Sequence, residues 1–283
     1  MWYILPLLAG VCIALSEFCS KYIADDQSTV EMKILLANVL GMLCSLALMP
    51  LEQVQVSFNP FAIGLLLVNG GIMAIAGTLY YVGLKHIDIS VSTVLTKTSV
   101  LVYTLGGIFL MGEQLTVLQI AGTALVILSL ASINGLGTLK KIKLNTWASI
   151  LLVTGCLFGL SILSDNYLSQ YFSPFFYLFS MFTTTSIILS VYYVLSKRVA
   201  FSAPKQKMLL TQLVAAGLSV GGQALLLMTY RLGGYVSLSN LFALIRLPLV
   251  LIFGIIILKE RSNIQQKLIS IAILTAGLIL LKL

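Results

Sequence analysis

Long apolar stretches separated by short polar connectors make up almost the whole chain. Ten stretches can be delimited, at residues 3–22, 31–49, 61–84, 89–111, 115–134, 147–169, 174–196, 207–230, 235–258 and 264–282. Each is close to the roughly 20 residues that an α-helix needs to cross about 30 Å of hydrocarbon. A transmembrane β-barrel would instead show short segments of alternating hydrophobicity. The pattern therefore predicts an all-α integral membrane protein with ten transmembrane helices.

The two halves of the chain repeat each other. Identical residues recur 145 to 147 positions apart: Trp2 and Trp147, Gly10 and Gly155, Leu15 and Leu160, Ser16 and Ser161, Tyr22 and Tyr167, Glu113 and Glu260. This spacing predicts two five-helix units, residues 1–140 and 141–283, within one compact membrane domain. Because five is odd, the second unit must cross the bilayer in the opposite sense, which gives the inverted repeat of many transporters.

Composition supports a membrane protein and argues against other classes. The chain is 59% hydrophobic and 9% charged, whereas a soluble domain carries about 25% charged residues. The net charge of +8 comes mainly from short connectors, so it does not indicate nucleic-acid binding. His86 is the single histidine and no phosphate-binding loop is present, so the sequence predicts neither an enzyme nor a cofactor. The four cysteines lack metal-ligand spacing and are interpreted as small core residues.

Sequence marks at the ends of the predicted helices resemble a known family. The fourth stretch ends in Gly112–Glu113 and the fifth follows at once, and Lys259–Glu260 occupies the same place in the second unit. The connector 83–90 and Lys21 fit the same pattern. The chain thus resembles the drug/metabolite transporter superfamily in its ten-helix EamA-like branch. That resemblance implies a secondary transporter and covers the whole chain, but it names no substrate.

Two departures from the family pattern concern the predicted binding site. Members often carry a proline midway in the fourth helix, where this chain reads Thr98–Ser99–Val100, and only the ninth stretch has one, Pro248. Lys97 and Arg246 are not part of the general family pattern. We therefore attribute them to the substrate of this protein.

The orientation in the membrane is predicted differently by charge and by resemblance. Lysine and arginine are concentrated in the odd-numbered connectors, which places those connectors in the cytoplasm and both termini outside. The resemblance implies termini inside, and we give the charge distribution slightly more weight. The first stretch is interpreted as a retained helix and not a cleaved signal. The expected location is the cell membrane, specifically a bacterial inner membrane.

Lys97 and Arg246 are the leading candidates for substrate binding. Lys97 lies roughly 13 Å from the nearer end of its stretch, too deep to reach the interface easily, and a cation at that depth normally faces a polar cavity. On a continuous helix its face carries Thr93 and Thr104, and the adjoining strip carries Thr96, Ser99 and Tyr103. Arg246 is similarly central, with Asn240 before it and Pro248 after it. The alternative is that both cations merely pair with Glu17 or Asp165.

Carboxylates and uncharged polar residues complete the candidate site. Glu17 lies one helical turn from Lys21 and forms either a structural ion pair or a carboxylate that binds substrate or a coupling ion. Asp165, near the end of the sixth stretch, is either a solvated helix end or a second coupling group. Weaker candidates for lining the path are Gln223, Asn69, Asn38, Tyr80 and Tyr81.

These features give a leading functional hypothesis and two alternatives. The leading one is a secondary active transporter of a small metabolite with a carboxylate or phosphate, for which an amino acid fits well. Export is favoured over uptake by family analogy alone. The alternatives are proton-coupled efflux of cationic lipophilic compounds through Glu17, and a scaffold that transports nothing. The expected partners are the substrate, the lipid bilayer and a coupling proton or ion, with the protein a monomer or homodimer.

Overall fold

The chain folds into packed α-helices. The computed structural model describes residues 2–24, 30–84, 86, 95–132, 146–195, 206–256 and 264–282. Its helices are α1 (Ile4–Ala24), α2 (Val30–Leu48), α3 (Pro60–Leu84), α4 (Thr98–Met111), α5 (Val117–Ser132), α6 (Thr146–Ser169), α7 (Pro174–Leu195), α8 (Gln206–Arg231), α9 (Val236–Ala243), α10 (Arg246–Ile256) and α11 (Ile264–Lys282). In this described part the β-structure amounts to one isolated bridge, between Val56 and Phe172. The all-α prediction is confirmed.

The helices have the length and surface of membrane-spanning elements. Among the residues that the structure describes, five segments are long and apolar enough to cross a bilayer: Met32–Leu51, Pro60–Tyr80, Thr146–Ser169, Pro174–Leu195 and Met208–Arg231. Shorter apolar helical segments lie within the other predicted stretches. Large apolar side chains such as Phe109, Val117 and Leu195 are exposed, as expected for a surface that faces lipid. The protein is therefore a multi-pass membrane protein, and the count of ten spans stays a prediction.

Helix neighbours in the first half correspond to helix neighbours in the second. α1 packs against α8 as α6 packs against α3, and α2 packs against α8 as α7 packs against α3. Likewise α4 packs against α6, and α9 and α10 both pack against α1. Three further extensive contacts, α2–α7, α5–α11 and α4–α9, join helices at matching places in the two halves. When α9 and α10 are taken as one broken helix, exchanging the halves leaves these extensive contacts unchanged, whereas smaller contacts such as α6–α8 and α9–α11 have no equal among the described residues of the other half.

The helix formed by α9 and α10 breaks at Leu244–Ile245, and Pro248 explains the break. Proline lacks an N–H group, and its ring clashes with the carbonyl four residues earlier, which here is that of Leu244. The chain tightens instead, and the Leu247 N–H donates to the Leu244 carbonyl at 2.9 Å. Arg246 is the first residue after the break.

A second break lies at Lys97, where the sequence predicted a continuous helix. Leu95 and Thr96 are helical, Lys97 forms a turn, and α4 begins at Thr98. The Thr98 hydroxyl donates to the Leu95 carbonyl, so a side chain occupies an acceptor that the helix ladder would use. The Val100 N–H then bonds to the Lys97 carbonyl at 2.9 Å. The other residues of the predicted stretch, 89–94, lie outside the described part.

A glycine from the facing helix packs against each break. A Cβ on Gly10 of α1 would lie 2.7 Å from the Ala243 carbonyl oxygen, and one on Gly155 of α6 would lie 2.7 Å from that of Thr96. Real Cβ atoms do not approach backbone so closely, so only glycine allows these contacts. The two glycines are 145 residues apart, the offset read from the sequence. Both breaks are thus held in place by corresponding helices.

Two carboxylates from the first half bond to helix N-termini of the second half. α4 ends at Gly112, whose φ of 68° is left-handed, and the chain then turns Glu113 into the protein. The buried Glu113 carboxylate accepts from the Val236 and Ser237 N–H groups and from the Ser237 hydroxyl at the start of α9. Burial raises the pKa of Glu113, and these hydrogen bonds act in the opposite direction. Glu52 accepts from the N–H groups of Phe175 and Phe176 in α7, at 3.0 and 3.2 Å.

Candidate functional site

A cavity of about 740 Å³ lies among α1, α3, α4 and α6–α10. Four of its lining residues carry a formal charge: Glu17, Lys97, Asp165 and Arg246. The volume is within the 300–1,000 Å³ typical of small-molecule sites. Both helix breaks border it, because Lys97 and Arg246 stand at them. The structure therefore brings together the two cations that the sequence placed in separate halves.

Glu17 neutralises one of the two cations. Its Oε1 lies 3.6 Å from Nη1 of Arg246, and the two side chains are 44% and 26% exposed. The Lys97 ammonium group interacts electrostatically with both Arg246 and Glu17. The Lys97 side chain makes no hydrogen bond or ion pair to any residue that the structure describes, so the structure does not show the pairing of Lys97 with Glu17 or Asp165 that the alternative interpretation expects.

Tyr103 of α4 also lines the cavity. Its side chain is 3% exposed, and its hydroxyl has no hydrogen-bond partner within the described residues. The Tyr103 hydroxyl interacts electrostatically with the Arg246 guanidinium. The Nε atom of Arg246 is also buried without a described partner. Unsatisfied buried polar groups are costly in proteins, so this part of the cavity is suited to a polar ligand.

Asp165 lies in the cavity wall and not at a solvated helix end, which is one of its two interpretations from sequence. Its Oδ1 accepts from Asn69 Nδ2 at 2.9 Å and from the Tyr177 hydroxyl. Asn69 Nδ2 also donates to the Tyr177 oxygen at 2.7 Å. α3, α6 and α7 each contribute one member of this cluster. Asn69 is completely buried behind the wall and does not line the cavity itself.

The other predicted residues differ in their placement. Asn240 lines the cavity and donates to the Tyr230 hydroxyl at 2.7 Å and to the Val236 carbonyl at 2.8 Å. Gln223 also lines it and donates to the Ser219 hydroxyl at 3.0 Å. Asn38 instead bonds to the Ile34 carbonyl of its own helix at 2.9 Å. The side chains of Lys21 and Tyr81 lie outside the described part, whereas Tyr80 lines the cavity.

Sequence reasoning did not identify two tyrosines of the site. Tyr177 and Tyr230 both line the cavity and bond to candidate residues. Tyr177 belongs to the aromatic run Phe175–Phe176–Tyr177. The sequence pattern alone does not distinguish a ring that faces the cavity from a ring that packs in the core.

Within the described residues, no group of three or more His, Cys, Asp or Glu side chains could hold a metal ion.

Comparison with known proteins identifies the family of the first half. Residues 1–135 match the model of the EamA-like transporter family. This part of the chain is similar to the EamA-like transporter family. The match confirms the resemblance to the drug/metabolite transporter superfamily, and it indicates a membrane transporter of the drug/metabolite type.

A solved structure extends the similarity in fold over the whole chain. A crystal structure, described only as that of a protein, is similar to this chain with a TM-score of 0.78 and 13% sequence identity. The alignment covers 99% of this chain and 95% of the other. At that identity the similarity concerns the fold alone. No match was found among curated proteins.

Proposed function

We propose that this EamA-like protein is a secondary active transporter of a small polar metabolite that carries a carboxylate or phosphate. The observation that carries the proposal is the convergence of Lys97 and Arg246 on one cavity, at breaks in two corresponding helices. Discontinuous helices between repeated halves form the substrate sites of many secondary transporters.

The charges of the cavity favour an anionic group on the substrate. A cation inside a membrane is costly and usually serves a function. Glu17 pairs with Arg246, so these two charges offset each other. The positive charge of Lys97 is then left to attract an anionic group. The planar guanidinium of Arg246 can bind a carboxylate or phosphate through two parallel hydrogen bonds, and Tyr103 offers a hydroxyl nearby.

Alternating access is the proposed mechanism, and the correspondence of helix neighbours between the halves supports it. In an inverted repeat, two equivalent packings of the halves open the same site to opposite sides. The most extensive helix contacts are unchanged when the halves are exchanged, which supports such a mechanism. Export is the proposed direction, on family analogy alone, and an amino acid is the proposed kind of substrate.

A binding screen tests the anion site. Purified protein is heated with amino acids, organic acids, sugar phosphates or lipophilic cations, because a ligand of the folded form raises the unfolding midpoint by mass action. We expect an anionic or zwitterionic compound to raise it, and Lys97→Gln and Arg246→Gln to abolish the rise. Lys282→Gln is the control. Lys282 is the last residue of α11, its ammonium group lies over the ring of Tyr3, and it does not line the cavity. A ligand-dependent rise that survives in both cavity variants would contradict the proposal.

Proton-coupled efflux of lipophilic cations through Glu17 is the second candidate. Glu17 lines the cavity and is 44% exposed, so it can be reached by a ligand. Its closest described partner is however the Arg246 guanidinium, which repels a cation. Resistance to lipophilic cations that is lost in Glu17→Gln would favour this candidate, and resistance that persists would eliminate it. A scaffold would show no flux at all in liposomes.

A further inference from the structure

Within the described part of the chain, the charged groups of the cavity leave one cation and one anion without an ion-pair partner. Arg246 and Glu17 pair with each other. Among the residues that the structure describes, neither Lys97 nor Asp165 forms an ion pair. Each of them lines the cavity. The cavity therefore presents a positive group and a negative group to a ligand that enters it.

The cluster around Asp165 has more hydrogen-bond acceptors than donors. Both N–H groups of Asn69 Nδ2 and the O–H of Tyr177 are used inside the cluster, on Asp165 Oδ1 and on the Tyr177 oxygen. The second carboxylate oxygen of Asp165 has no described partner. Asn69 Oδ1 is buried and also without one. An acceptor-rich group with a negative charge is suited to a donor that carries a positive charge.

A primary ammonium group fits these requirements. It carries three N–H donors and one positive charge, and a charge-assisted hydrogen bond to a carboxylate is about twice as strong as a neutral one. Asn69 and Tyr177 hold Asp165 in place from two other helices, so the carboxylate is oriented before a ligand arrives. Much of the remaining lining is apolar, including Met73, Leu178, Met181, Leu226, Leu227 and Leu247.

We propose that Asp165, positioned by Asn69 and Tyr177, is an ammonium subsite, and that the substrate is a zwitterion with an apolar side chain. The anionic end of this substrate binds at Lys97 and Arg246, so the inference rests on the proposed function for that end. The chemical class is that of the neutral α-amino acids. Selectivity against simple carboxylates comes from Asp165, because a ligand without an ammonium group leaves that carboxylate unpaired.

Matched ligands separate the two ends of the site. Binding is measured by titration calorimetry on the full chain in lipid nanodiscs. The ligands are alanine, valine, leucine and phenylalanine, each with its deaminated acid. We expect at least one amino acid to bind the wild type at least about tenfold more tightly than its deaminated acid. In Asp165→Asn that amino acid should bind at least about tenfold more weakly, while its deaminated acid binds as before. Ser164→Ala is the control, because Ser164 is adjacent on α6, bonds within the helix and does not line the cavity.

Each other outcome overturns the inference. It falls if no amino acid binds more tightly than its deaminated acid, or if Asp165→Asn weakens both ligands equally, which indicates a structural role. It also falls if Asp165→Asn weakens neither. The proposed function fails separately, if Lys97→Gln and Arg246→Gln leave binding of the carboxylate unchanged.

Discussion

At the scale of single residues, the cavity explains how polar groups persist in an apolar chain. A charge buried in hydrocarbon without a partner is neutralised or excluded. Here four charged side chains share one cavity, and the carboxylate of Glu113 is buried against backbone N–H groups. Each of these groups has either a partner or a cavity that can receive a ligand.

Loss of the Glu113 carboxylate should destabilise the protein. The Glu113 carboxylate accepts hydrogen bonds from Val236 and Ser237. In Glu113→Gln an NH₂ group, which can only donate, replaces one of the two accepting oxygens. A buried donor is then left without an acceptor, at a cost of about 1–3 kcal/mol. We expect a lower unfolding midpoint in detergent. Glu52→Gln is the matched comparison, because the half-buried Glu52 accepts from two N–H groups of α7, and its loss should cost less. Equal midpoints for wild type and Glu113→Gln would contradict this account.

The residue-scale features that the sequence could predict are those that depend on charge in an apolar stretch. Lys97 and Arg246 stand out because any cation at that depth needs a cavity. Thr104 was placed on the face of Lys97 by assuming a continuous helix, yet it does not line the cavity, whereas Thr96, Ser99 and Tyr103 do. The break at Lys97 arises from a hydroxyl–carbonyl bond, and helical periodicity cannot reveal it.

At the scale of helices, the breaks and turns position the site, and Pro248 offers the clearest test. Pro248→Ala supplies an N–H that can bond to the Leu244 carbonyl and removes the ring that blocks it. The helix can then straighten and move Arg246. We expect ligand affinity to fall several-fold while the unfolding midpoint stays equal or rises.

Pro60→Ala is the control for the Pro248 variant. Pro60 is the first residue of α3 and is exposed, a position where proline costs a helix nothing. It should change neither affinity nor midpoint. If Pro248→Ala binds ligand like the wild type, the break does not position Arg246.

The turn at Gly112 gives a second test at this scale. A Cβ at Gly112 or at Gly64 would meet no atom within 4 Å, but Gly112 alone of the two has a positive φ. Gly112→Ala should therefore cost about 1 kcal/mol from backbone strain, and Gly64→Ala, inside α3, should be neutral or slightly stabilising. Thermal unfolding of the two variants measures the difference. An equal effect of both substitutions would show that the turn is not strained.

At the scale of the whole molecule, the nearly constant offset between identical residues predicts two repeated units, and this repeat stays a prediction. The corresponding contacts of Gly10 and Gly155 at the two breaks follow that offset. The ion pair between Arg246 and Glu17 could not be predicted, because it depends on long-range packing of α1 against a broken helix. Arg246 and Lys97 do not occupy corresponding positions, yet they reach one cavity.

Exchange flux in proteoliposomes tests the central claim most directly. Vesicles loaded with unlabelled substrate should accumulate labelled substrate from outside, because a site that faces the two sides in turn exchanges one molecule for another. The account predicts exchange with the wild type and with Lys282→Gln, and its loss in Lys97→Gln and Arg246→Gln. Undiminished exchange in both cavity variants would contradict it.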